Sequence, residues 1–309
     1  MNNTKLSVVI PVYNEGESIP ELCDRLQKIL TSLNLNYEVI FVDDGSTDKT
    51  FSLLKERHNQ HNKIKILHFN KNFGKAYAYS AGFASAKGEI IITMDGDLQD
   101  APEEIPNFLE KMKEGYDLVS GWKYTGKGKR RFSSKFFNFV TSFFTKLPLH
   151  DFNCPFKAYR QEVAKNLHIY GELHRFIPAL AYWKGYKITE IKVENYPRKY
   201  GKTKYGFGRF IKGFLDLITV IFLTQYIKRP LHFFGLFGLI FGVGGFCIDL
   251  AITVEGLAKG KIGHQALLLL GLFLIVIGIQ FVFTGLLGEM IYSLRETKEE
   301  EHIVKQIVE

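Results

Sequence analysis

Asp95 and Asp97 are separated by one glycine, and Asp43 and Asp44 open an Asp43-Asp44-Gly45-Ser46-Thr47-Asp48 run. Two carboxylates on a tight turn, with no side chain between them, suit a hard divalent cation. Mg2+ or Mn2+ takes oxygen ligands and commonly bridges to phosphate oxygens. One Asp-x-Asp alone says little, because aspartate also starts turns and caps helices. A second acidic pair at an equivalent strand end makes the reading stronger. Neither G-x-G-x-x-G nor G-x-x-x-x-G-K-[ST] occurs, which disfavours dinucleotide and P-loop chemistry. Cys23, Cys154 and Cys247 are too scattered for a zinc site or a disulfide scaffold. His58, His61 and His68 have no metal spacing.

The elements that hold these groups alternate. Leu6–Tyr13, Tyr37–Val42, Lys63–His68 and Glu89–Met94 are short apolar, β-branched runs that read as buried strands. Glu17–Leu33, Thr47–His58 and Gly74–Ala86 read as helices between them. This βα alternation predicts a parallel sheet with helices on both faces. Ligands then bind beyond the carboxyl ends of the strands. Tyr13-Asn14-Glu15, Asp43-Asp44 and Asp95-Gly96-Asp97 all fall at those ends.

The chain has 309 residues and a net charge of +8, with 46% hydrophobic residues, which excludes disorder and low-complexity classes. That average hides a partition. Residues 1–122 are acidic, residues 123–230 hold 22 Lys+Arg against 6 Asp+Glu, and residues 231–309 are nearly uncharged up to Tyr292. Eighteen of the 27 Phe lie within 132–144 and 207–283, in or beside the basic region. Basic segments rich in large apolar rings fit either nucleic acid or a membrane surface.

The last third favours the membrane. Phe233–Val254 and Ala266–Leu287 each exceed the roughly 20 apolar residues that a helix needs to cross a bilayer. Asp249 interrupts the first run, and is expected near its far end or facing the second helix. Arg198, Lys199, Lys202, Lys204, Arg209, Lys212, Lys228 and Arg229 precede the first span, whereas the loop between spans holds only Lys259 and Lys261. Both termini are therefore expected in the cytoplasm. Lys5–Val12 reads as a strand without a cleavage site, so no signal peptide is expected. Phe132–Leu147 and Phe207–Tyr226 repeat apolar residues at three-to-four spacing beside basic ones, as interfacial amphipathic helices do.

Together these motifs resemble a known family. Ser7-Val-Val-Ile-Pro-Val-Tyr-Asn-Glu, Phe41-Val-Asp-Asp-Gly-Ser-Thr-Asp, Asn70-x-x-x-Gly74-Lys and Met94-Asp-Gly-Asp-Leu-Gln-Asp look like family 2 glycosyltransferases with a GT-A fold. Asp151-Phe-Asn-Cys-Pro-Phe-Lys-Ala-Tyr-Arg, Leu173-His-Arg-Phe-Ile-Pro-Ala-Leu and Pro197-Arg-x-x-Gly201-x-Thr-Lys-Tyr-Gly-x-x-Arg209 narrow this to the polyprenyl-phosphate group. That group includes the bactoprenol glucosyltransferase and dolichyl-phosphate mannose synthase types. The resemblance covers about residues 5–292.

It implies an α/β fold: a GT-A domain over 1–205, with a Rossmann-like, mostly parallel sheet and an interfacial helix at about 132–147. An amphipathic juxtamembrane helix over 206–230, two transmembrane helices within 231–292 and a tail over 293–309 would follow. It implies that Pro11, Tyr13, Glu15 and Asp44 hold the nucleotide, with Asp43 beside them. Asp95 and Asp97 would serve the metal and diphosphate, with Gln99 nearby. Arg175, Arg198 and Lys204 would meet the donor diphosphate or the acceptor phosphate, as would Lys123 and Arg209. Lys123 stands where the family often has Arg, and a point charge replaces a fork. The implied reaction moves a sugar, such as glucose from its UDP form, to undecaprenyl or another polyprenyl phosphate, with inversion. The implied partners are the nucleotide sugar, the polyprenyl phosphate and the bilayer; Gly in the two spans could also pack against further copies of the chain, and no nucleic-acid partner is expected.

Three other readings compete. A processive polysaccharide synthase usually carries Q-x-x-R-W and more spans, and neither occurs here. An inactive lipid-binding scaffold would not need Tyr13, Asp44, Asp95 and Asp97 intact. RNA binding by residues 123–230 is disfavoured by the adjacent spans.

Overall fold

The computed structural model describes residues 4–123, 138, 141–143, 145–194, 196–197, 199, 218–219, 221–222, 226–227, 229–260 and 264–296. Two compact units divide at Val220 and Ile221.

The first unit is built on a seven-stranded sheet of order β3-β2-β1-β4-β6-β5-β7. Its strands are β1 Leu6–Val12, β2 Tyr37–Asp43, β3 Ile64–His68, β4 Ile90–Thr93, β5 Leu118–Lys123, β6 Lys157–Arg160 and β7 Ile188–Val193. Pairing is parallel throughout except where β6 runs antiparallel between β4 and β5. The central strands are continuous apolar runs because helices cover both faces: Val8, Val9, Ile10, Ile40, Phe41, Ile91 and Ile92 are all fully buried. Each of α1 Ile19–Ser32, α2 Thr50–Gln60, α3 Lys75–Ser85 and α4 Ile105–Lys113 follows a strand. Helix α1 shows the amphipathic pattern most clearly, with Pro20 in its first turn and Ile19, Leu22, Cys23, Leu26 and Leu30 on the sheet side. Burying one such side chain contributes about 1.5–3 kcal/mol. Short helices α5 Gln161–Asn166 and α6 Ile177–Trp183 sit between β6 and β7, with a 3-10 turn at Leu173–Phe176 before α6.

Burial pushes the thiols of Cys23 and Cys154 up to about 12. Neither should react with iodoacetamide at neutral pH in the folded chain. Mass spectrometry after alkylation is expected to find both labelled only in denaturant. Labelling of Cys154 in the native chain would contradict its burial.

Of the predicted interfacial helix at 132–147, residues 138, 141–143 and 145–147 are described. Asn138, Thr141, Thr145 and Leu147 are buried, whereas Phe143 is 71% exposed. Among the described residues Asn138 Nδ2 donates to the His150 carbonyl at 2.8 Å. Most of the predicted 206–230 helix lies outside the described residues.

The second unit contains two long helices, α7 Pro230–Lys259 and α8 Gln265–Glu296. Their most apolar windows have mean hydropathies of 2.0 and 2.8, and only 17% and 11% of those windows is buried. Leu239, Leu257, Phe273 and Phe283 stand exposed. Helices this long and this apolar on the outside suit a bilayer. The two helices pack through glycine. A Cβ on Gly245 would lie 2.4 Å from the Gly271 carbonyl oxygen, and one on Gly238 would lie 2.8 Å from that of Gly278. Asp249 turns toward α8: a Cβ on Gly271 would lie 2.0 Å from its Oδ1.

Candidate active site

Three loops converge where β1, β2 and β4 end, and hydrogen bonds tie them together. Asn14 takes a left-handed conformation (φ 52°) two residues past the end of β1. Its Oδ1 accepts the Thr47 N–H at 2.8 Å, and its N–H donates to Ser46 Oγ at 2.9 Å. Glu15 N–H donates to Thr50 Oγ1 at 2.9 Å. Ser18, fully buried, donates from Oγ to the Gly96 carbonyl at 2.6 Å, which ties the first loop to the acidic turn. Gly96 is required there, because a Cβ would lie 2.6 Å from Val12 Cγ1. Pro11, Tyr13 and Glu15 are half-buried on the rim of this junction.

The Asp43-Asp44 pair is more deeply set than the sequence suggests. Asp43 is fully buried; Oδ1 accepts the Ser46 N–H at 3.0 Å and Oδ2 lies 2.8 Å from His68 Nδ1. Asp44 accepts the Phe73 N–H at 2.7 Å and the Gly74 N–H at 2.9 Å, one on each carboxylate oxygen. Burial holds the Asp44 carboxyl above its usual range, against those two N–H groups. Asp44 thus shapes the loop that starts α3. Gly45 (φ +69°) lets that loop approach, since a Cβ there would lie 2.4 Å from the Lys71 carbonyl carbon.

Helix α3 begins with Lys75, whose ammonium pairs with the Asp95 carboxylate. Burial alone would raise Asp95, but Lys75 and Lys123 outweigh it and hold the carboxyl below its usual range. Asp97 lies two residues on, and its Oδ1 accepts the Gln99 N–H at 3.1 Å. The donor set is therefore two carboxylates on one turn, with Asp95 held in its charged form. Hard oxygen donors of this kind fit Mg2+ or Mn2+. Among the described residues no group of three metal-ligating side chains gathers. Asp95 and Asp97 would hold the ion, and donor phosphate oxygens and water would complete its shell.

Of the other expected residues, Lys123 reaches the turn from the end of β5, where it pairs with buried Asp100 at 2.9 Å. Arg175 lies in the 3-10 turn before α6 and pairs with Glu172 at 2.6 Å. Arg198, Lys204 and Arg209 lie outside the described residues.

Lys157, buried in β6, was not singled out from the sequence. Its ammonium donates to the Cys154 carbonyl, and burial lowers its pKa. His174 Nδ1 and the Tyr79 hydroxyl are also buried, without hydrogen-bond partners among the described residues. Lys75, Lys157 and His174 each fall inside a motif that carries the family resemblance, but only as motif letters. Lys157 lies in a four-residue strand whose antiparallel placement has no local signature.

Burial pushes His174 down from 6.5 to about 3, and Lys75, Arg175 and Lys157 add to the fall. Between those values the unfolded chain binds more protons, so stability drops as pH falls, by up to about 1.4 kcal/mol per pH unit. His174→Phe is expected to flatten the acid side of a thermal-melt series between about pH 7 and pH 4. Parallel losses in wild type and variant would contradict a buried neutral imidazole.

A mostly parallel sheet with acidic loops gathered beyond its strand ends is the arrangement of the GT-A fold. Solved structures share that fold. Glucosyl-3-phosphoglycerate synthase from Mycobacterium tuberculosis, in complex with Mn2+ and UDP-glucose, matches with a TM-score of 0.57 at 17% identity, over 72% of this chain and 79% of that one. Staphylococcus aureus TarS in complex with UDP-GlcNAc matches at 0.50 and 19% identity, over 72% and 68%. Residues 7–167 match the model of glycosyl transferase family 2. The chain is 34% identical to the dodecaprenyl-phosphate galacturonate synthase of Rhizobium johnstonii, over 99% of this chain and 94% of that protein. The chain belongs to glycosyl transferase family 2.

Proposed function

We propose that this chain transfers one sugar from a nucleoside diphosphate sugar to the phosphate of a membrane polyprenol such as undecaprenyl phosphate. The observation that carries the reading is the acidic turn Asp95-Gly96-Asp97, braced against the β1 loop and faced by Lys75 and Lys123. A full-length relative named for a dodecaprenyl-phosphate product supports the acceptor class. UDP-linked glucose is the donor we favour, and that relative's name makes a UDP-linked uronate the second candidate.

Pro11, Tyr13, Glu15 and Asp44 would grip the nucleotide at the ends of β1 and β2. A divalent cation held by Asp95 and Asp97 would neutralise charge on the departing diphosphate. The acceptor is a phosphate monoester whose second pKa, by analogy with phosphorylated side chains, is about 6, so it is largely dianionic at neutral pH. It needs positioning more than deprotonation. Lys123, Arg175, Arg198, Lys204 and Arg209 are our candidates for that task. The basic residues before α7 support a cytoplasmic catalytic unit, with residues 1–205 as the transferase and 231–292 as the anchor.

Membranes carrying the chain, given labelled UDP-glucose, UDP-galacturonate and other nucleotide sugars with undecaprenyl phosphate, test this directly. A lipid-extractable product with one donor is expected. Failure with every donor would overturn the proposal.

A further inference from the structure

We propose that Asp100 is a positioning residue: it holds the backbone of the acidic turn and keeps the Lys123 ammonium off Asp95, leaving Asp95 and Asp97 to a divalent cation. This rests on reading that turn as the cation and diphosphate site. The Asp100 side chain is fully buried. Its Oδ2 accepts the Asp95 N–H at 3.0 Å, which closes the turn on itself. Its Oδ1 stands 2.9 Å from Lys123 Nζ, as an ion pair. One carboxylate therefore does two things, fixing a ligand's backbone and engaging a cation from a different strand.

The turn needs such a brace. Leu98 sits within it at φ 62°, a left-handed conformation that a branched side chain adopts at a cost. Leu98 itself is buried, so the strain is held in place by packing. Charge gives the second half of the argument. A buried ammonium that loses its anion is strongly destabilised and seeks another. Asp95 also lies within the field of Lys123, and already pairs with Lys75. Without the charge on Asp100, Lys123 would turn to Asp95 and compete with the cation there.

Asp100→Asn separates the two roles, because the amide oxygen can still accept the Asp95 N–H while the charge is gone. Full-length protein in detergent is titrated with Mn2+ alone, with bound ion read by electron paramagnetic resonance and folding by thermal melts. Loss of a residue that orients a ligand typically weakens metal affinity by roughly 10–100-fold, and that range is expected for D100N. Adding Lys123→Met should return the affinity to within about threefold of wild type, a rescue that a merely structural role for Asp100 does not predict. Lys123→Met alone, the control if D100N does not fold, should bind Mn2+ at least about twofold more tightly. Wild-type affinity in D100N, no rescue in the double variant, or weaker binding in K123M would each overturn the proposal. Wild type that binds no Mn2+, with or without UDP, would instead overturn the underlying reading of the turn, and this proposal with it.

Discussion

Asp97→Ala is expected to lower lipid-linked product formation by about 10³-fold in kcat, the scale seen when one preorganised charge-stabilising group is removed. Asp97 lies on the turn, partly exposed, and its described hydrogen bond is to the nearby Gln99 N–H. Its loss should leave the melting transition within about 1 kcal/mol of wild type. Activity and stability therefore separate at this position. Asp97→Asn sharpens the test: it keeps an acceptor for Gln99 but loses the charge, and should be nearly as inactive. Labelled sugar recovered in the organic phase measures both variants. Activity above about a tenth of wild type in Asp97→Ala would remove Asp97 from the diphosphate site.

Asp44→Ala is expected to damage stability and donor binding together. Both carboxylate oxygens accept backbone N–H groups, from Phe73 at 2.7 Å and Gly74 at 2.9 Å. A fully buried donor left without a partner costs about 1–3 kcal/mol, and these two are part-buried, so a loss of about 2–4 kcal/mol is expected in denaturant melts. The same loop sets the start of α3, where Lys75 meets Asp95. A shift there reaches the acidic turn, and the KM for the nucleotide sugar should rise at least about tenfold. Asp44→Asn keeps only one acceptor and presents an amide N–H to the other donor, so it should fall between. Unchanged melts in Asp44→Ala would mean that the loop does not depend on these bonds.

What the sequence made legible follows from where information is local. Strands β1, β2 and β4 are covered on both faces, so each is a continuous apolar run that announces itself. Asp95 and Asp97 are neighbours in the chain, and one glance pairs them. The two long helices are readable from length and apolarity alone. Strand β6 is not, because it has four residues, starts with a lysine and enters the sheet antiparallel. Lys157 looks like a surface residue until β4 and β5 close on either side of it. Asp100 was visible only as a motif letter. Its role depends on β5 delivering Lys123 to it across the sheet, a long-range event with no periodicity to betray it. Phenylalanine spacing suggests a lipid-facing stripe at 132–147, and among the described residues there Thr141 and Thr145 are buried while Phe143 is exposed.

The central claim is single-sugar transfer to a polyprenyl phosphate, and mass spectrometry of the lipid product tests it most directly. Purified full-length chain would be reconstituted with undecaprenyl phosphate and its preferred nucleotide sugar, with EDTA and with added Mg2+ or Mn2+. The account predicts a polyprenyl phosphate carrying one sugar, absent in EDTA and restored by the metal. A ladder of longer glycans, or unmodified lipid with every donor, would contradict it.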